Sequence, residues 1–364
     1  MLLLGLSVFA CCLIVQAAYL WRFAAGFRHA EREVPAPDEG ACPSISVVIA
    51  ARNEERDLPL LLDALAAQTH PHFEAIICND GSEDGTAEVV RNYQTQAPWL
   101  RLLDVMDRQA PYKKHALTQG IAAAQHDLLA LTDADSVPAP GWLEHLARVH
   151  AAADRPALLT GYAHVPVRPG LLNRLIRYER LLTTFATAAT IGLGRPYMAR
   201  GCNISYPKTL FEAVGGFAHS AQSMSGDDDL LVQHIARERA APIYHLFAPD
   251  SFVGTDAAST WRQWIRQKLR HTSAGRFYDT GIQRHLAVFH ISHLVLWLAP
   301  ALLGAWGLGL LAARLVLLGV TLMAPARRFQ SADLLLWVPL LEFLYALYNV
   351  FVATTGVLRP PKRW

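Results

Sequence analysis

Three apolar runs, each longer than the core of a small domain requires, bracket a middle of ordinary globular composition. This arrangement limits the fold more than any other feature. Residues 2–21 are apolar over about the 20 positions a helix needs to cross a bilayer. Residues 286–324 are too long for one crossing and carry Pro300 and the glycines Gly304, Gly307 and Gly309, which predicts a helical hairpin. Residues 334–352 form a third run that contains Pro339 and Glu342. The surplus shows in the whole chain of 364 residues, which is 52% hydrophobic and 18% charged, where soluble domains are about one-quarter charged.

The first run lacks the basic leader and small-residue cleavage site of a secretory signal, so residues 1–22 read as an uncleaved anchor. Arg22, Arg28 and Arg32 follow it, and Arg327 and Arg328 follow the hairpin of residues 285–324. The positive-inside bias therefore puts the middle of the chain in the cytoplasm of an integral membrane protein, in the inner membrane if bacterial. The third segment, residues 333–356, ends in Arg359, Lys362 and Arg363. A full crossing would carry those charges outside, so the segment is read as spanning or re-entrant. Within residues 255–284, Trp261, Trp264, Ile265 and Leu269 share one helical face, and Arg262, Arg266 and Arg270 recur on another. That pattern predicts a helix in the membrane interface, apolar face down. A helix packed on the domain has the same periodicity, and the neighbouring spans favour the interface.

The net charge of +2 leaves no electrostatic footprint for nucleic acid. Five cysteines, Cys11, Cys12, Cys42, Cys78 and Cys202, are odd in number and form no CxxC pair, which disfavours a disulfide framework or a zinc site.

In the middle, residues 45–50, 75–78, 100–105 and 128–132 are short β-branched or leucine-rich runs. They alternate with amphipathic stretches at 58–68, 87–96 and 114–124. Buried strands alternating with helices predict an α/β domain whose parallel sheet is covered on both faces, with its ligand at the carboxyl ends of the strands. Three of these ends are polar: Arg52-Asn53-Glu54-Glu55, Asn79-Asp80-Gly81-Ser82 and Asp133-Ala134-Asp135-Ser136. Two carboxylates one residue apart repel unless a cation lies between them, and hard oxygen ligands suit Mg²⁺ or Mn²⁺ carrying a diphosphate. There is no GxxxxGK[ST] and no strand-following GxGxxG, which disfavours a P-loop NTPase or a dinucleotide oxidoreductase. Lys113 and Lys114 open a helix where they could meet nucleotide charge. The run Asp227-Asp228-Asp229 holds more acids than capping needs, and one could take the proton of an attacking hydroxyl.

Taken in order, these motifs resemble those of the inverting family 2 glycosyltransferases of GT-A fold, a Rossmann-like nucleotide-diphospho-sugar transferase architecture. The likeness is to the membrane-anchored members related to ceramide glucosyltransferase and to cellulose and hyaluronan synthases. A catalytic domain over residues 44–254 is expected. The resemblance implies that Arg52 and Glu54 in VVIAARNEE and Asp80 in NDGSEDGT bind the donor, with Asp80 at the base. In KKHALTQGI, Lys113 fills the family's lysine position beside Lys114; in TDADS, Asp133 and Asp135 form the DxD motif that holds diphosphate and metal. On the acceptor side, the resemblance implies Asn203 in GCNISYPKTLFEAVGGF and Asp227 in SGDDDLL, with Asp228 as catalytic base. QKLRH resembles QxxRW, which matches Gln267 and Arg270 but puts His271 where the tryptophan belongs. That departure counts against processive polymerisation.

The implied function is metal-dependent transfer of a sugar, with inversion, from a nucleotide sugar (UDP-sugar favoured) to a lipid or lipid-linked acceptor. A processive polysaccharide synthase is the alternative. A non-catalytic membrane-anchored sugar-nucleotide-binding or scaffold protein is the alternative of another class.

Overall fold

The computed structural model describes residues 2–358, so the basic residues Arg359, Lys362 and Arg363 lie outside the described residues. A long first helix, α1 (Leu2–Glu33), leads into β1 (Ile45–Ala51), α2 (Leu58–Ala66), β2 (Phe73–Asn79), α3 (Thr86–Gln94), β3 (Leu100–Asp104), α4 (Tyr112–Ala123), β4 (Leu128–Leu131) and β5 (Ser136–Pro138). Then come α5 (Trp142–Ala152), β6 (Leu158–Thr160), β7 (Ala163–His164), α6 (Leu171–Gly192), β8 (Ile204–Pro207), α7 (Lys208–Ala213), α8 (Asp229–Glu238), β9 (Ile243–His245) and β10 (Val253–Thr255). The chain continues as α9 (Trp261–Thr272), α10 (Thr280–Leu303), α11 (Ala305–Arg328) and α12 (Val338–Leu358). The helix of the first apolar run does not stop near Trp21 but extends to Glu33.

The chain divides into two compact units, of which one comprises Ala30–Pro166 and Gly194–Asp256. Its seven-stranded sheet has the order β3-β2-β1-β4-β8-β6-β9, and a second sheet of three strands has the order β5-β10-β7. β1, β2, β3 and β4 are mutually parallel, as the alternation of strand and helix predicts. The expectation of a wholly parallel sheet needs correcting, because β8 runs antiparallel to both β4 and β6. The long excursion through α6 returns the chain from the opposite direction, which the first four strand-helix repeats could not reveal.

β1 is buried on both faces. Val47 and Ile49 join a cluster with Leu58, Leu61, Leu62 and Trp142, while Val48 joins Cys78, Leu117 and Ile121 on the other side, as the two-residue pleat requires. Gly120 on α4 is a close-approach glycine: a Cβ there would lie 2.4 Å from Cys78 Sγ and 2.6 Å from Val48 Cγ1. The lack of a side chain brings α4 down onto the sheet and fixes the height of its first turn. Register levels the strand ends, since Ala51 pairs with Asn79 and Asn79 with Asp104.

The other unit comprises α1 up to His29, Val167–Leu193, which contains α6, and the chain from Ala257 onward. Among the described residues four helical stretches are long and apolar enough to cross a membrane: Gly5–Glu33, Thr280–Leu303, Ala305–Arg328 and Ala332–Phe351. The hairpin break falls at Gly304, between α10 and α11. Glu342, the anomaly of the third apolar run, is buried and fully occupied. It accepts from Arg314 Nη2 at 2.6 Å and Tyr178 Oη at 2.5 Å, and lies 3.2 Å from His293 Nε2. Arg314 Nε donates to Gln16 at 3.2 Å. Charges buried among apolar helices persist when they are paired in this way. Arg177 on α6 grips Asp333 through two bonds of 2.7 Å, and Glu179 pairs with Lys268.

Two side chains of α9 are buried. Its Trp264 is buried with its ring 4.6 Å from that of Tyr348 on α12, and Lys268 is buried against Glu179 of α6. Of the predicted apolar face, Trp264 is packed on protein and Trp261 is exposed, as are Arg262 and Arg266. Helical periodicity is the same for both environments, so sequence could not separate them.

Candidate active site

The carboxyl ends of β1, β2 and β4 form one rim, and short polar bonds lace their loops together. Asn53 Nα donates to Ser82 Oγ at 3.1 Å, and Asn53 Oδ1 accepts from Glu83 Nα at 2.8 Å. Glu54 Nα donates to Thr86 Oγ1 at 2.8 Å, and Glu55 accepts from Gly85 Nα at 3.1 Å. The segments RNEE and NDGSEDGT therefore hold each other, and their remaining side chains are left for the site. Arg52 is half-buried with its Nε enclosed and unpartnered. Asp80 is buried and accepts from Arg108 Nε at 2.9 Å, and the Arg108 guanidinium lies 4.1 Å from the centre of the Tyr112 ring. Sequence does not single out Arg108, because an arginine in a polar loop carries no spacing signal.

Lys113, in the first turn of α4, is the hub. Its Nζ lies 2.8 Å from Asp133 Oδ1 and 3.0 Å from Asp227 Oδ2, bridging the end of β4 to the acidic run before α8. Burial opposes its charge, but the Asp133 and Asp227 carboxylates override that penalty and hold the ammonium well above the ordinary lysine range. For Asp227 burial is likewise overcome, by Lys113, and its carboxyl is lowered.

Asp228 caps α8, accepting from Asp229 Nα at 2.7 Å and from Gly201 Nα at 2.8 Å. Burial and then the Asp227 charge push its carboxyl above the usual range, the direction that makes a carboxylate a better proton acceptor. A Cβ on Gly201 would approach Asp227, Asp228 and the Lys113 ammonium at 3.3 to 3.5 Å, so the glycine lets the backbone lie against all three. Thr132 Oγ1, donating to Cys202 O at 2.9 Å, ties that backbone to the end of β4.

The negative charge on the rim exceeds what Lys113 balances. Glu54 is raised to about 7 by burial and then by Asp135, Asp57 and Asp133. Asp135, whose side chain opens to solvent although protein crowds it, is raised to about 6 by desolvation and then by Asp133. Asp133 and Asp135 offer hard oxygen donors in a field short of positive charge, which fits a divalent cation. Among the described residues no group of three or more His, Cys, Asp or Glu could hold a metal ion. A cation here would therefore complete its shell with water or ligand oxygens, as Mg²⁺ usually does.

Two expected residues are placed differently. Lys114 is buried and its ammonium donates to Ser220 O at 2.8 Å, Ser220 Oγ at 3.0 Å and Ser223 O at 3.1 Å, leaving no proton for a nucleotide. Burial lowers it to about 8. Asn203, expected toward the acceptor, is in the core. It accepts from Trp142 Nε1 at 3.0 Å and donates to Tyr162 O at 3.1 Å and Ser251 O at 2.8 Å. Gln267 and Arg270 are half-buried on α9, which belongs to the other unit.

Residues 46–214 match the family model described as Glycosyl transferase family 2. The probable glycosyltransferase YdaM of Bacillus subtilis (strain 168) is 24% identical over 265 residues, which is 69% of this chain and 61% of that protein. The 4,4'-diaponeurosporenoate glycosyltransferase of Staphylococcus aureus (strain bovine RF122 / ET3-1) is 38% identical over 92 residues, covering 25% of this chain and 24% of that protein. The chain thus spans less than two-thirds of either relative. Among solved structures, the mannosyltransferase PcManGT from Pyrobaculum calidifontis, in complex with GDP-Man and Mn²⁺, shares the fold. Its TM-score is 0.58 and its identity 20%, covering 96% of this chain and 98% of that one. With its mixed sheet, its acidic rim and this family match, the chain carries a glycosyl transferase family 2 domain of GT-A fold.

Proposed function

We propose that the protein is a membrane glycosyltransferase that moves a sugar from a nucleoside-diphosphate donor to a hydroxyl of a lipid or lipid-linked acceptor. The observation that carries this reading is the Lys113 bridge between Asp133 and Asp227, with Asp228 oriented beside it by Gly201 Nα. One end of this cluster faces the DxD carboxylates suited to a diphosphate, and the other presents a carboxylate of raised proton affinity. Asp133 and Asp135 would hold the divalent cation, which supplies charge neutralisation to the departing diphosphate when bound. Arg52, with its enclosed and unpartnered Nε, faces phosphate or ribose, and Asp80 with Arg108 meets the base.

In the transfer step the acceptor oxygen forms its bond to the anomeric carbon as the bond to the diphosphate oxygen breaks. The hydroxyl proton passes to Asp228, and single displacement inverts the anomeric configuration. Four apolar helical stretches favour a membrane-borne acceptor. So does the lipid-type substrate named for the diaponeurosporenoate relative. Arg22, Arg28, Arg32, Arg327 and Arg328 favour a cytoplasmic site. A UDP-sugar is the favoured donor, and the GDP-Man in the Pyrobaculum neighbour puts GDP-sugars in the same panel.

The test is release of nucleoside diphosphate from UDP- and GDP-sugars by membranes containing the protein, with and without Mn²⁺ and lipid extract. Release that needs the metal, rises with lipid and disappears in Asp135→Ala supports the reading. Asp228→Asn should cut transfer by about 10²- to 10⁴-fold with donor binding intact. Equal loss of binding and transfer would sink the base assignment.

A further inference from the structure

A buried ammonium is costly unless every proton finds an acceptor, and Lys114 spends all three on one short segment. Its side chain is 2% exposed, and its partners are Ser220 O, Ser220 Oγ and Ser223 O. Ser220 and Ser223 are themselves buried, while Ala221 and Gln222 between them are exposed. From residue 221 to residue 228 the chain has neither helix nor strand, so hydrogen bonds and packing hold it. Ser223 Oγ donates to Ser225 O at 2.7 Å, and His219 lies 3.0 Å from Leu230 O, which closes the segment on itself. Four and five residues after Ser223 come Asp227 and Asp228, so a displacement of Ser223 passes along a short tether to both carboxylates. Among the described residues no carboxylate forms an ion pair with Lys114.

We propose that Lys114 is the positioning residue of the catalytic carboxylate. Rooted in the first turn of α4, it fixes residues 220–223 so that Asp228 meets Gly201 Nα and Asp227 meets Lys113. Adjacent lysines on one helical turn thus divide the work: Lys113 faces the carboxylates, and Lys114 holds the segment that delivers two of them. This proposal rests on the transferase reading above.

The experiment is full-length Lys114→Met and Lys114→Arg in membranes, assayed for donor KM and kcat, with hydrogen–deuterium exchange across residues 215–229. Lys114→Met should lower kcat by about 30- to 100-fold, since a misplacement of about 1 Å costs on that order. Donor KM should stay within about twofold, and residues 215–229 should lose protection. Lys114→Arg, which keeps donors for both carbonyls, should restore most of kcat. A raised donor KM with unchanged kcat returns Lys114 to donor contact and overturns the proposal, as does an unchanged kcat. Should Lys114→Met not fold, Ser220→Ala removes one acceptor and should lower kcat several-fold at constant donor KM; no change in that variant also overturns it. If the wild type turns over no donor, the transferase reading fails separately. The exchange data then decide the clamp, and unaltered protection in Lys114→Met refutes it.

Discussion

Lys113→Ala is the sharpest perturbation of this molecule, because it removes the cation that Asp133, Asp227 and Asp228 are built around. The ammonium lies 2.8 Å from Asp133 and 3.0 Å from Asp227. At an effective dielectric of about 20, each contact is roughly 5 to 6 kcal/mol of Coulomb attraction before desolvation is subtracted. Breaking a buried pair by removing one partner costs about 3 to 5 kcal/mol. The Asp133 side chain is 38% exposed and Lys113 19%, so solvent takes part of that, and about 2 to 3 kcal/mol remains after the discount. The pH dependence gives the cause. In the wild type the lowered carboxyl of Asp227 contributes stability above the unfolded carboxylate pKa, lost only as pH falls through its folded value. Without Lys113, burial raises Asp227 instead, and stability is lost as pH rises. The gap between variant and wild type should therefore already be present near pH 4.5 and widen toward pH 7.5. Thermal unfolding of the purified full chain should show a deficit of about 4 to 8 °C at the higher pH, largely restored in Lys113→Arg. A deficit under about 1 °C, or one that does not change with pH, would refute the account of Lys113 as an electrostatic hub.

Two further outcomes follow from side chains described above. Asn203→Ala strands the Trp142 indole N–H and two carbonyls in the core and should cost about 2 to 3 kcal/mol; acceptor KM should not change, and a specific rise in it at wild-type stability would restore an acceptor contact. Glu54, raised to about 7 by burial and neighbouring acids, stabilises the fold below its unfolded pKa and loses that contribution as pH rises through about 7. Relative to Glu54→Gln, the wild type in chelator should lose about 1 to 2 kcal/mol between pH 4.5 and 7.5, and a flat difference in unfolding temperature across that window would contradict it.

Much of this site was legible because its parts are local. A β-branched run ending in polar residues predicts both a strand and the rim it reaches, so β1, β2 and β4 and the groups Arg52, Glu54, Asp80, Asp133 and Asp135 could be read off one by one. The apolar runs announced their helices by length alone. What composition and spacing could not decide is direction. Lys113 and Lys114 are about 100° apart around a helix, and only the surrounding packing shows that one meets carboxylates and the other backbone carbonyls. Asn203 resembles an acceptor contact until Trp142, Tyr162 and Ser251, distant in sequence, converge on its amide. The same holds for the turned strand β8, for Trp264 of α9 and for Glu342 in its apolar helix, which acquires partners on three other helices. Local pattern sets which residues are buried, exposed or charged. Which buried polar group meets which is set by contacts between residues remote in the chain, and only the folded structure brings these together.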